Sequence, residues 1–136
     1  MYTVSYEGKR TYEKYDENHF LLYLNEQETE ITKAENEIFQ EQGNETPETV
    51  PGYAYTGTMP DGGTLVEAKE ADYGNLVAGL IRTKYPANDV EALQGNMLIA
   101  VSDPENEKAE SYKQDWNGFQ TFRNECKQHI KKLLGL

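Results

Sequence analysis

The stretch 103-DPENEKAESYKQDWNGFQTFRNECKQHIKKLL-134 decides how the rest of the chain is read. Asp103 has the side chain of a helix N-cap, and Pro104 suits a first helical position, where its missing N–H costs nothing. Ala109, Tyr112, Trp116, Phe119, the Arg123 stem, Cys126, Ile130 and Leu133 then recur at steps of three and four. Phe122 and Leu134 widen this apolar stripe. The spacing predicts one amphipathic helix over Asp103–Leu134. Gly135 falls where a left-handed C-terminal residue is expected. Charge agrees with direction: Asp103, Glu105, Glu107 and Glu110 lie early, and Lys127, Lys131 and Lys132 lie late, as the helix dipole favours. Gly118 is the weak point, at about 1 kcal/mol against alanine. Such a helix would be about 46 Å long. Two shorter helices cannot cover that length, which leaves part of the stripe for another subunit.

Upstream, two shorter helices are predicted. Asn88 with Glu91 resembles a capping box, and Val90, Leu93, Met97 and Val101 follow at helical spacing. Before it, Asp72 can cap a helix with Tyr73, Val77, Leu80 and Lys84 on one face, ended by Pro86. Earlier still the period is that of strands. Tyr2, Val4 and Tyr6 alternate, Thr11–Tyr15 offers a second strand, and the apolar run His19–Leu24 reads as a third. Glu28–Thr32 is a polar strand, and Gln42–Pro51 has the composition of a mobile loop. Tyr53–Thr58 and Thr64–Ala68 flank Asp61-Gly62-Gly63, a β-hairpin signal. Strands first and helices after is the α+β order. One domain is expected over 1–136: residues 1–68 mostly β, 70–134 a bundle of about three helices, the last one long.

Composition narrows the function classes. Hydrophobic residues are 37% and charged ones 27%, so the core must be thin. The net charge of −11 is concentrated early: residues 1–50 hold 12 acids against 4 Lys and Arg, whereas 103–136 hold 6 against 6. No basic patch suggests a nucleic-acid partner. No run is long and apolar enough for a membrane span, and Met1–Val4 does not open a secretory leader. A cytoplasmic protein is expected.

Candidate chemistry is sparse. Cys126 and His129 stand three apart, but no second spaced pair completes a metal set. Cys126 lies within a helical stripe and not at a helix N-terminus, where a thiolate is stabilised. No nucleophile elbow and no phosphate-binding glycine pattern occurs. No catalytic residue, cofactor or metal is therefore assigned, and an enzyme is not expected. The ten tyrosines are the compositional oddity. Seven lie in predicted strands, where they suit sheet packing and, on a free face, a protein partner. The residues assigned to partner contact are Tyr53, Tyr55, Trp116, Phe119, Phe122, Ile130 and Leu133.

One segment carries a resemblance. Gly79-Leu80-Ile81-Arg82-Thr83-Lys84-Tyr85-Pro86-Ala87-Asn88-Asp89-Val90-Glu91-Ala92-Leu93, followed by Phe119-Gln120-Thr121-Phe122-Arg123-Asn124-Glu125-Cys126-Lys127, resembles small uncharacterised phage and prophage proteins encoded near tail and tail-fibre genes. The resemblance covers residues 53–134 and supplies no catalytic residue. It implies a non-enzymatic tail-associated structural or assembly protein, virion-associated after assembly. Tail or fibre components would be its partners, with homo-oligomerisation as a further expectation. The alternative is an acidic binding or inhibitor module aimed at a basic partner surface. Tyrosines and lysines interrupt its acids, which counts against a mimic of evenly spaced phosphates.

Overall fold

A computed structural model describes residues 1–32 and 49–136. The fold is α+β, and the described residues form six strands in two antiparallel sheets followed by three helices. The strands are β1 (Tyr2–Tyr6), β2 (Tyr12–Asp16), β3 (His19–Leu22), β4 (Gln27–Thr32), β5 (Thr49–Gly57) and β6 (Thr64–Glu67). The helices are α1 (Tyr73–Arg82), α2 (Ala87–Ser102) and α3 (Ala109–Leu134). One sheet has the order β1-β5-β4 and the other β2-β3-β6. The chain divides into two compact units, Met1–Tyr15 with Leu21–Leu65, and Asp16–Phe20 with Val66–Leu136.

In the first unit β5 is the central strand. It runs antiparallel to β1, with Val4 opposite Tyr55 and Tyr6 opposite Tyr53, and to β4, with Glu28 opposite Tyr53. Leu21, Tyr23 and Tyr55 form the buried cluster, with Tyr6, Tyr53, Met59 and Leu65 packed around it. The expected loop Gln42–Pro51 lies outside the described residues as far as residue 48. Its last three residues, Thr49–Pro51, begin β5 instead. Pro51 is tolerated because β1 pairs only as far as Tyr53, so Pro51 faces β4 alone, opposite Glu30.

The turn at Asp61-Gly62-Gly63 is present, but it does not make a hairpin. Met59 N–H donates to the Gly63 carbonyl at 2.8 Å, and Gly62 takes φ 85°. The strands on either side, β5 and β6, then belong to different sheets. A local turn signal specifies the reversal without specifying which strands pair.

The second unit is built on α3. Asp72 caps α1, its side chain accepting from the Asn75 N–H at 2.8 Å. Leu76, Val77, Gly79, Leu80 and Ile81 are the buried residues of α1. Asn88 does not cap α2. The helix begins at Ala87 behind Pro86, whose carbonyl accepts from Asp89 and Val90, and no side-chain cap forms.

The long helix is shorter than its pattern suggests. Asp103 ends α2 at φ −135° and ψ 76°, a non-helical geometry that the following proline enforces. A turn then intervenes, held by Asn106 N–H to the Asp103 carbonyl and Lys108 N–H to Asn106 Oδ1. With 26 residues, α3 is about 39 Å long. Its stripe holds: Ala109, Phe119, Cys126 and Ile130 are buried, and Gly135 closes it at φ 72°. Cys126 and Ile130, near the C-terminal end of the stripe, are 1% and 0% exposed.

Two glycines on helices make opposite predictions. A Cβ on Gly79 would stand 2.5 Å from the Glu67 carbonyl oxygen and 3.3 Å from Val66 Cβ, so α1 packs backbone to backbone against β6. A Cβ on Gly118 would meet nothing within 4 Å. Urea unfolding of Gly118→Ala should show a gain of about 1 kcal/mol from helix propensity. Gly79→Ala should instead lose about 1–3 kcal/mol, because the rigid neighbours must shift. A gain at both positions would mean that α1 does not approach β6 so closely.

Candidate functional site

The densest set of polar and aromatic side chains lies in the first unit, around Arg10. Residues 7–11 leave β1 and carry Arg10 over the rings of Tyr6, at the end of β1, and Tyr23, just after β3. Its guanidinium lies 4.2 Å from the Tyr6 ring centroid and 4.9 Å from that of Tyr23, in the range of cation–π attraction. Its Nη1 donates to the Tyr23 hydroxyl at 3.0 Å, and its backbone N–H donates to the Tyr55 hydroxyl at 2.8 Å. Each hydroxyl passes its own proton onward. Tyr23 donates to Asp61 Oδ2 and Tyr55 to Glu26 Oε1, both at 2.8 Å. Tyr6 donates to the Asp61 carbonyl, and Asp61 Oδ1 accepts from the Gly63 N–H at 2.9 Å. Lys9 completes the set, 3.9 Å from Glu26 and 5.3 Å from the Tyr53 ring centroid.

The rings pack with the same order. Tyr23 meets Tyr6 at 6.2 Å and 79°, and Tyr55 at 5.7 Å and 69°, both edge-on. Such pairs contribute about 0.5–1.5 kcal/mol beyond the area they bury. Burial pushes the Tyr23 phenol above its usual range, and the Asp61 carboxylate adds to the effect. Burial likewise raises Tyr55, with the Arg10 N–H opposing and Glu26 reinforcing. Both hydroxyls therefore stay protonated at neutral pH and act as donors, not as bases. Among the described residues no buried side-chain N or O lacks a hydrogen-bond partner. The cluster's bonding groups are matched to one another, and what this geometry does is hold the unit together.

The second unit has an aromatic set of its own. The Tyr85 ring meets Phe119 at 5.1 Å and Phe122 at 5.5 Å, and Trp116 meets Phe119 at 5.6 Å. Lys84 Nζ lies 5.0 Å from the Phe122 centroid. The segments around Lys84–Tyr85 and Phe119–Phe122 thus pack on each other. Burial pushes the Cys126 thiol up to about 11, with the Glu125 charge adding to it, so the thiol is neutral and unreactive at pH 7. Among the described residues no group of His, Cys, Asp and Glu side chains is placed to hold a metal ion. No helix among them is long and apolar enough to cross a membrane.

Of the side chains assigned to partner contact, Tyr55, Phe119 and Ile130 are buried. Tyr53, Trp116, Phe122 and Leu133 are half-buried. Arg10, Glu26 and Asp61 escape sequence reasoning, because 45 residues separate Arg10 from Tyr55 and 38 separate Tyr23 from Asp61. Asp61 reads only as a turn residue, and no spacing rule reaches across such separations. Comparison with family models, curated proteins and solved structures finds no match to this chain.

The raised Tyr23 phenol fixes a pH dependence. The unfolded chain releases this proton near pH 10, whereas the folded chain holds it to higher pH. Stability from this group is therefore complete below pH 10 and is lost as pH rises beyond it. Thermal melts from neutral pH upward should show the midpoint falling above pH 10, and Tyr23→Phe should make that fall shallower. Equal slopes in the two proteins would place the Tyr23 hydroxyl in water.

Proposed function

We propose that this chain is a phage or prophage tail-associated structural or assembly protein, working through protein–protein contacts and without catalysis. The resemblance of residues 79–93 and 119–127 to small tail-associated proteins supports the phage setting. The observation that carries the contact reading is β2. All five of its residues are exposed, and Tyr12 and Tyr15 stand 39% and 53% accessible, one on each face of the strand. Tyrosine joins a large apolar ring to a hydrogen-bonding tip, and it is enriched where proteins bind one another. Tyr6, Tyr23 and Tyr55 donate hydrogen bonds within the first unit, and Tyr12 and Tyr15 keep accessible ring area on β2. The acidic-inhibitor alternative gains less, since Glu26 is paired with Lys9 and Tyr55, and Asp61 with Tyr23.

The test is capture of partners by the tagged full chain in cells producing the phage, with Tyr12→Ala/Tyr15→Ala alongside. The wild-type chain should retain a tail or fibre component, and the double variant should lose it. Urea unfolding should show that the variant keeps a cooperative transition, so that lost capture is not lost fold. Failure of the wild-type chain to capture any tail or fibre protein would overturn the reading. Equal capture by the two proteins would remove β2 from the contact.

A further inference from the structure

The second unit has two ends of opposite chemistry. Where α2 ends and α3 begins, residues 103–110 contain four acids, Asp103, Glu105, Glu107 and Glu110, against one base, Lys108. All four acids are exposed. Beside them the C-terminal half of α2 leaves Leu98, Ile99 and Val101 at 70%, 42% and 63% exposure, and Ala100 is the only buried residue of the helix. Asp103 sits at the C-cap of α2 with no basic residue in its last turn, so a carboxylate adds to the negative end of the helix dipole. That end carries a net negative charge.

The other end of α3 has the reverse character. Residues 126–136 hold Lys127, Lys131 and Lys132 and no Asp or Glu side chain. Lys131 and Lys132 are exposed, and so is Leu136, at 75%. Among the described residues none of Asp103, Glu105, Glu107, Lys131 and Lys132 is in an ion pair. The two ends cannot meet within one copy, because α3 separates them by about 39 Å. Two copies reversed about a twofold axis bring them together twice, each acid end against the other's basic end.

We propose that two copies of this chain associate antiparallel through α2 and α3. The basic end of α3, with Leu136, lies on the acidic end of α2, where Leu98, Ile99 and Val101 form the apolar centre. The occupant of the exposed α2 face is thus a second copy. The ion pairs steer and orient the pair, while the apolar side chains give it area to bury. With a net charge of −11 the copies repel overall, so the local contacts act against that background and the dimer is sensitive to salt. The proposal is independent of the tail reading, which rests on β2.

Sedimentation equilibrium of the full chain tests it. A dimer is expected at low salt, weakening as salt rises. Lys131→Glu/Lys132→Glu should weaken self-association by about tenfold or more, since each contact then sets acid against acid. Asp103→Lys/Glu105→Lys should do the same by setting base against base. Mixing these two variants should restore a dimer, now between unlike copies, which misfolding of either could not produce. Leu98→Ser should weaken the dimer at every salt concentration. A wild-type chain that stays monomeric at low salt would overturn the proposal. So would either charge-reversed variant dimerising alone as wild type does, or a mixture that fails to associate.

Discussion

The first unit depends on one buried hydroxyl, that of Tyr23. It accepts from Arg10 and donates to Asp61, and so links the segment after β1 to the turn after β5. Tyr23 is only 3% exposed, where an unpaired hydroxyl would cost about 1–3 kcal/mol. Arg10 and Asp61 together keep this buried hydroxyl paired as acceptor and as donor. Arg10 also stacks on Tyr6 and holds the Tyr55 hydroxyl by its backbone, and Asp61 also orders Gly63. Removing either disturbs several contacts at once. In a chain this polar, tyrosines add ring area to the aliphatic core as long as their tips are bonded.

The second unit solves the same shortage by close approach. Gly79 lets α1 lie against the backbone of β6, and the stripe of α3 receives α1 and α2 along its length. Aromatic contacts at Tyr85, Phe119 and Phe122 fill the junction where α1 ends and α2 begins. Charge is then left to the surface, where it is distributed by end and not evenly. In the first unit, by contrast, charged groups are drawn into the packing itself.

Periodicity made the architecture legible. Strand alternation at Tyr2–Tyr6, the Asp72 cap, the stripe of α3 and the left-handed Gly135 all appear where the spacing of residues puts them. The errors share a cause, which is that a local signal fits more than one setting. Asp103-Pro104 suits a helix start but here follows a helix end, because proline restricts the residue before it. Asp61-Gly62-Gly63 turns the chain without joining β5 to β6. Pro51 looks like a loop residue until its neighbour on one side is seen to have ended. The Arg10, Tyr23 and Asp61 set was illegible for a different reason. Its members are far apart in the chain, and hydrogen bonds at that separation leave no period to find.

Tyr23 and Asp61 act as a unit in stabilising the first part of the chain. A double-mutant cycle with Tyr23→Phe, Asp61→Ala and the combined variant, followed by urea unfolding, measures this directly. A coupling of about 1.5–3 kcal/mol is expected, the range of a hydrogen bond to a charged partner. Losses that add to within about 0.5 kcal/mol would show two independent side chains and contradict it.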